Sequence, residues 1–107
     1  MNTHSATSEQ EDHRARLAFI QSELQTGNTL ADVAHTEYSM GNREHADTLS
    51  SKAHQAYREA LKWIGRAEDH GVDVIAEKRE AERLGERIAK FPDPTMAPER
   101  PESALER

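Results

Sequence analysis

Six histidines share a chain of 107 residues with 20 acidic side chains, and imidazole beside carboxylate is a donor set suited to divalent metals. Helical carboxylate-bundle sites repeat Glu-x-x-His on two helices, because residues three apart share a face and can ligate together. Asp32 and His35 have that acid-x-x-His spacing, and no second copy occurs. If the chain reverses at Gly41-Asn42, His35 lies across from about Thr48 and His54 from about Thr29, so these two histidines do not converge. His45 approaches Tyr38, and two groups do not make a site. Each histidine is therefore expected to be a surface or half-buried side chain, and no metal or cofactor is expected. The competing reading is a metal-dependent helical-bundle enzyme built around Asp32, His35 and His45.

Other reactive groupings have simpler explanations. Glu9, Glu11 and Asp12 crowd an expected helix start, where the helix dipole favours negative charge. His70 closes "AEDH" at an expected helix end, where an imidazole can meet the terminal carbonyls. The serines and threonines stand in no glycine-flanked nucleophile elbow, and no glycine-rich phosphate loop occurs. A non-enzymatic protein is expected.

The elements that position these groups are helical. Aromatics make up 5% and charged residues 32% of the chain, a balance that suits helices better than sheets. The net charge of -6 is uneven: residues 1–41 carry six acids against two bases, whereas 42–69 and 70–91 each balance at five against five. No segment supplies the clustered basic surface that phosphate neutralisation requires, so nucleic acid is not an expected partner. The absence of cysteine rules out disulfides and thiolate metal sites. No apolar leader or membrane-length run occurs, so a cytoplasmic protein without membrane contact is expected.

Along the chain, Ser8 and Glu11 have capping-box spacing and predict a first helix beginning there, after a disordered 1–7. Its stripe reads Leu17, Ile20, Leu24, Gly27, Ala31, Ala34, Tyr38, Gly41, with spacings of three and four throughout. A second stripe of Phe19, Leu30, Val33 and Met40 predicts that this helix touches two neighbours. The stripe keeps its phase across Gly27-Asn28, which favours one continuous or kinked helix, with a break at 26–29 as the alternative. Gly41 permits a left-handed reversal and Asn42 offers a cap to helix 2, expected over 43–69. Its stripe is Ala46, Leu49, Ala53, Ala56, Ala60, Trp63, Ala67, with Tyr57, Leu61 and Ile64 beside it. Gly71 is the next C-cap candidate and Asp73 the next N-cap. Helix 3 is expected to turn Ile75, Ala81, Leu84, Ile88 and Phe91 inward, to carry ion pairs such as Glu86 with Lys90, and to stop at Pro92. The proline-rich 92–107 is expected to be a flexible tail. The fold is thus expected to be all-α: an antiparallel three-helix bundle, or a long helical hairpin with a third helix, spanning 8–91.

Gly41-Asn42, Ala46 five places after the glycine, Ala53 seven beyond that, and Ala34, Val33 and Leu30 before the turn resemble one helical hairpin of the tetratricopeptide repeat over about 30 residues. In outline the chain is also similar to the three-helix MIT domain. Ser50 stands where the repeat has an aromatic and Arg58 where it has a closing proline. The resemblance implies hairpin geometry and, by analogy, protein binding. A helical protein–protein interaction module, self-association included, is the function expected. Trp63 is either core or, with Tyr57 and Ile64, part of a partner-binding surface to which Phe19 and Met40 also belong. A small bacterial or phage regulatory protein is a further alternative.

Overall fold

Two glycines with left-handed backbone set the topology: Gly41 at φ 84° and Gly71 at φ 77°. The computed structural model describes the backbone of residues 3–92 and the side chains of 10–92. At the first reversal, Asn42 N–H donates to Glu37 O and Gly41 N–H to Tyr38 O. At the second, Val72 N–H donates to Ala67 O and Gly71 N–H to Glu68 O. Both are Schellman closures, in which a residue free to adopt positive φ lets the chain satisfy the last orphan carbonyls of a helix. The resulting order is α1 (Thr3–Ser39), α2 (Arg43–Asp69) and α3 (Ile75–Ala89).

Helices α1 and α2 form an antiparallel hairpin, and α3 lies along one of its grooves. Contacts to α1 rise together in number: Gln21 Nε2 donates to Glu77 Oε2 at 3.0 Å, Arg87 donates to Asn28 and Asp32, and Tyr38 packs on Phe91. This makes α3 parallel to α1. It is antiparallel to α2, since Lys78 pairs with Glu68 and Tyr57 meets Gly85. The three-helix, all-α expectation is therefore correct, and the described residues contain no strand.

The interior follows the small-residue stripes. Ala31, Ala34, Ala46, Ala53 and Ala60 are fully buried, and the larger core side chains are Ile20, Leu24, Ile64, Leu84 and Ile88. Each such leucine or isoleucine contributes roughly 1.5–3 kcal/mol by leaving water. Gly27 is where all three helices meet. A Cβ placed there would lie 2.6 Å from Leu84 Cδ2 and 3.5 Å from Ala56 Cβ. The helix stays continuous through Gly27-Asn28, and Asn28 uses its amide within the fold, donating to Leu24 O and accepting from Arg87.

Several local expectations need correction. Helix α1 begins at Thr3, upstream of the capping-box position at Ser8 and inside the segment 1–7 read as disordered. Asn42 occupies the N-cap of α2 but makes no side-chain cap; its amide donates back to Glu37 Oε1 at 2.8 Å instead. In α3, Ile75 is 59% exposed and Val74 is buried in its place. Val74, Glu77, Ala81, Leu84 and Ile88 keep alternating three- and four-residue steps, whereas Ile75 falls one residue out of phase with Ala81. Asp73 accepts from Ile75 N–H at 3.1 Å, although the N-cap position is Val74. The Glu86–Lys90 pair does not form; the ion pair of α3 with α1 is Arg87–Asp32. The expected tail, beyond Pro92, lies outside the described residues. No helix among the described residues is long and apolar enough to cross a membrane.

Candidate interaction surface

Among the described residues nothing covers the groove opposite α3, and its walls are two regular stripes. On α1 the series is Asp12, Arg16, Phe19, Glu23, Thr26, Leu30, Val33, Glu37, Met40; on α2 it is His45, Leu49, Lys52, Ala56, Glu59, Trp63, Arg66, His70. Both advance by alternating three and four residues, so each stays on one helix face. The residues that meet α3 are Gln21, Asn28 and Asp32 on α1 and Tyr57 and Glu68 on α2. At 3.6 residues per turn these lie roughly 140–160° around each helix from the open stripes.

Direct contacts tie the two stripes together across the hairpin. Phe19 and Trp63 meet edge to face with centroids 5.5 Å apart. The Arg66 guanidinium lies 4.7 Å from the Trp63 ring centroid, a favourable placement for a cation over an aromatic face. At the turn, His45 Nδ1 lies 3.3 Å from Glu37 Oε1. Hydrogen bonding from the Asn42 amide, and after it from His45, holds the Glu37 carboxyl below the usual carboxylate range. Asp12, Arg16 and His70 line a recess at the far end of the face, together with His13; Glu37 and His45 line another at the turn.

Between those ends the surface is apolar with charges interleaved. Phe19 is 42%, Val33 40% and Met40 65% exposed, while Leu30, Leu49 and Trp63 are half-buried and Ala56 forms part of the floor. From Phe19 to Met40 the stripe covers about 30 Å at 1.5 Å per residue.

The sequence-predicted partner-binding residues divide accordingly. Phe19, Met40 and Trp63 lie on the open face. Ile64 is 3% exposed and packs in the core, so it does not belong to any surface. Tyr57 turns toward α3, where its hydroxyl and ring fill the space a Cβ at Gly85 would need. Trp63 thus separates from the two neighbours with which it had been grouped, because positions 57 and 64 belong to the other edge and the buried seam of α2. Leu49, Lys52, Glu59 and Arg66 were missed. Their signal was present in the spacing from Trp63, but mixed polarity hides such a stripe from a search for apolar periodicity.

Other groups of possible chemical interest are dispersed. Asp32 pairs with Arg87 and His45 with Glu37; His35 instead lines a cavity of about 420 Å³ with Arg87, Lys90 and Phe91. Asp32, His35 and His45 are each engaged in different surroundings, and among the described residues no cluster of three histidine, cysteine or carboxylate side chains is arranged to hold a metal ion. His70 Nδ1 donates to Arg66 O at 2.8 Å, the helix-end role expected of it. Tyr38 donates to Asp47 Oδ1 at 2.6 Å; burial, and then this hydrogen bond, pushes its phenol up to about 12. Comparison of the chain with protein-family models, curated proteins and solved structures finds no match.

Proposed function

We propose that this chain is a non-enzymatic interaction module that receives a protein partner on the open α1/α2 face. The observation that carries the reading is the Phe19–Trp63 pair, an edge-to-face aromatic contact left 42% exposed at Phe19 on the side of the hairpin that α3 leaves bare. Aromatic anchors bordered by arginine are characteristic of the residues that dominate binding energy at protein interfaces. Val33, Leu49, Leu30 and Met40 extend the apolar surface toward the turn, and interleaved charges provide selectivity among partners. The resemblance to a tetratricopeptide hairpin agrees with this role by analogy. A cytoplasmic setting belongs to the same proposal and rests on the cysteine-free composition.

The test is Val33→Arg, which places a charge in the middle of the apolar stretch. A surface substitution of this kind changes stability by about 0.5 kcal/mol or less. Thermal unfolding of the variant is therefore expected to match the wild type at high dilution, where association does not contribute, while proteins that co-purify with the wild-type chain, a second copy included, are lost. An identical set of captured proteins from wild type and Val33→Arg overturns the proposal.

A further inference from the structure

We infer that the occupant of the open face is a second copy of the chain, docked antiparallel about a two-fold axis that crosses the hairpin at the level of Thr26 and Ala56. This inference rests on the interaction-module reading and identifies its partner. The order of side chains along the two stripes points to this occupant. Phe19 faces Trp63 and Glu37 faces His45, so residues of α1 and α2 whose numbers sum to about 82 share a level. From one end to the other the levels are Arg16 with Arg66, Phe19 with Trp63, Glu23 with Glu59, Thr26 with Ala56, Leu30 with Lys52, Val33 with Leu49, and Glu37 with His45.

Reversed, that order is complementary at most of its levels; the exception is Glu23, which comes opposite the partner's Leu30 and shares that level with the partner's Lys52. An in-plane two-fold at the central level lays α1 against the partner's α1 and α2 against the partner's α2, each antiparallel. Phe19 then meets the partner's Val33, and Trp63 meets the partner's Leu49. Glu59 stands opposite the partner's Lys52, and Arg16 opposite the partner's Glu37. Each of these contacts occurs twice, as an isologous interface demands. Thr26 and Ala56, the smallest side chains of the stripes, lie at the axis, where the two backbones must come closest. Arg66 shares the level of the partner's His45 and Glu37, and the carboxylate supplies the opposite charge there.

The parallel alternative also pairs Phe19 with the partner's Trp63 and Glu37 with the partner's His45, but it sets like charges face to face at two levels. With the two-fold along the hairpin, α1 lies on the partner's α2 at equal level. Glu23 then faces the partner's Glu59, and Arg16 faces the partner's Arg66. Like charges set opposite one another at an interface are a strong determinant against a pairing. Charge order therefore selects one orientation of one partner, and a dimer also gives a small core the additional burial that a domain of this size benefits from.

The decisive experiment uses two single charge reversals in the full-length chain, Glu59→Lys and Lys52→Glu, each studied alone and then mixed, by sedimentation equilibrium over a dilution series. Wild type is expected to dimerise. Each variant alone sets like charges across both symmetric contacts and is expected to weaken the dimer roughly ten- to thirtyfold. An equimolar mixture restores opposite charges at both contacts, so a heterodimer of near wild-type affinity is expected. Circular dichroism of each variant checks that the helices are intact. A mixture that associates no better than either variant alone overturns the antiparallel register. A wild type that is monomeric at every concentration, yet loses a different captured protein on Val33→Arg, overturns self-pairing while leaving the module reading in place. A monomer that captures nothing through Val33 overturns both.

Discussion

Replacing Gly27 by alanine tests the packing of α3 against the hairpin, because the sign of the effect depends on what lies next to that position. In a helix interior the change alone is favourable by about 1 kcal/mol, since alanine loses less backbone freedom on folding. Here the new methyl would lie 2.6 Å from Leu84 Cδ2 and 3.5 Å from Ala56 Cβ. Leu84 is fully buried and has little room to turn away. Overpacking of this kind costs roughly 1–3 kcal/mol, so a net destabilisation of about 1 kcal/mol is expected, or a fall in Tm of roughly 4–8 °C for a domain of this size. Gly65 is the internal control: it is also helical, but a Cβ there meets nothing within 4 Å. Gly65→Ala is expected to stabilise by about 0.5–1 kcal/mol. The assay is thermal and urea unfolding of both variants at one protein concentration, because association makes Tm concentration-dependent. A rise in Tm for Gly27→Ala equal to that for Gly65→Ala refutes the close approach of α3 at Gly27.

Four further outcomes follow from the same geometry. Gly41→Val is expected to cost about 2 kcal/mol through its left-handed backbone, with Gly41→Asn better tolerated; equal melting temperatures for Val and wild type contradict a reversal at that residue. Trp63→Ala is expected to cost about 1–3 kcal/mol in urea unfolding, less than a fully buried tryptophan would, because the ring is half-buried between Phe19 and Arg66. The raised Tyr38 pKa contributes stability that is complete below pH 10 and is lost as pH rises toward about 12. In a phenolate absorbance titration, the component missing from Tyr38→Phe should therefore appear near 12, and its appearance near 10 counts against the burial of that phenol. The lowered Glu37 pKa contributes stability that is present above the ordinary value of 4.5 and is lost as pH falls through the folded value. Acidification should lower the Tm of wild type more than that of Glu37→Gln, and equal falls argue against the Asn42 and His45 contacts.

Local rules carried the fold a long way in this chain. The phase of Leu17, Ile20, Leu24, Gly27, Ala31 and Ala34 identified one long helix across a glycine that would ordinarily suggest a break, because a buried seam constrains phase more strongly than a single residue's propensity does. The two reversals were legible from glycines placed where only left-handed backbone closes the turn. Helix starts were less legible. Ser8 and Glu11 have capping spacing, yet the helix runs through them, and Asn42 makes a bond across the turn to Glu37 where a cap to α2 was expected. A cap motif states what a local segment can do, and tertiary neighbours decide whether it does so.

The candidate face was half legible. The stripe Phe19, Leu30, Val33 and Met40 stands out as a second apolar row on α1, but its counterpart on α2 alternates Leu49 and Trp63 with Lys52, Glu59 and Arg66. Such a row becomes visible only once α3 is seen to cover the opposite groove. Ile64 illustrates the converse limit: it adjoins Trp63 in sequence, yet one residue moves a side chain about 100° around a helix, from the open edge to the core.

Trp63 is the only tryptophan in the chain and it stands on the open face, so its emission reports directly on whether that face closes over a partner. The central claim predicts that emission shifts to shorter wavelength as protein concentration rises, as the ring leaves water against the partner's Leu49, and that Val33→Arg abolishes the shift. A spectrum that is independent of concentration, and identical in wild type and Val33→Arg, contradicts it.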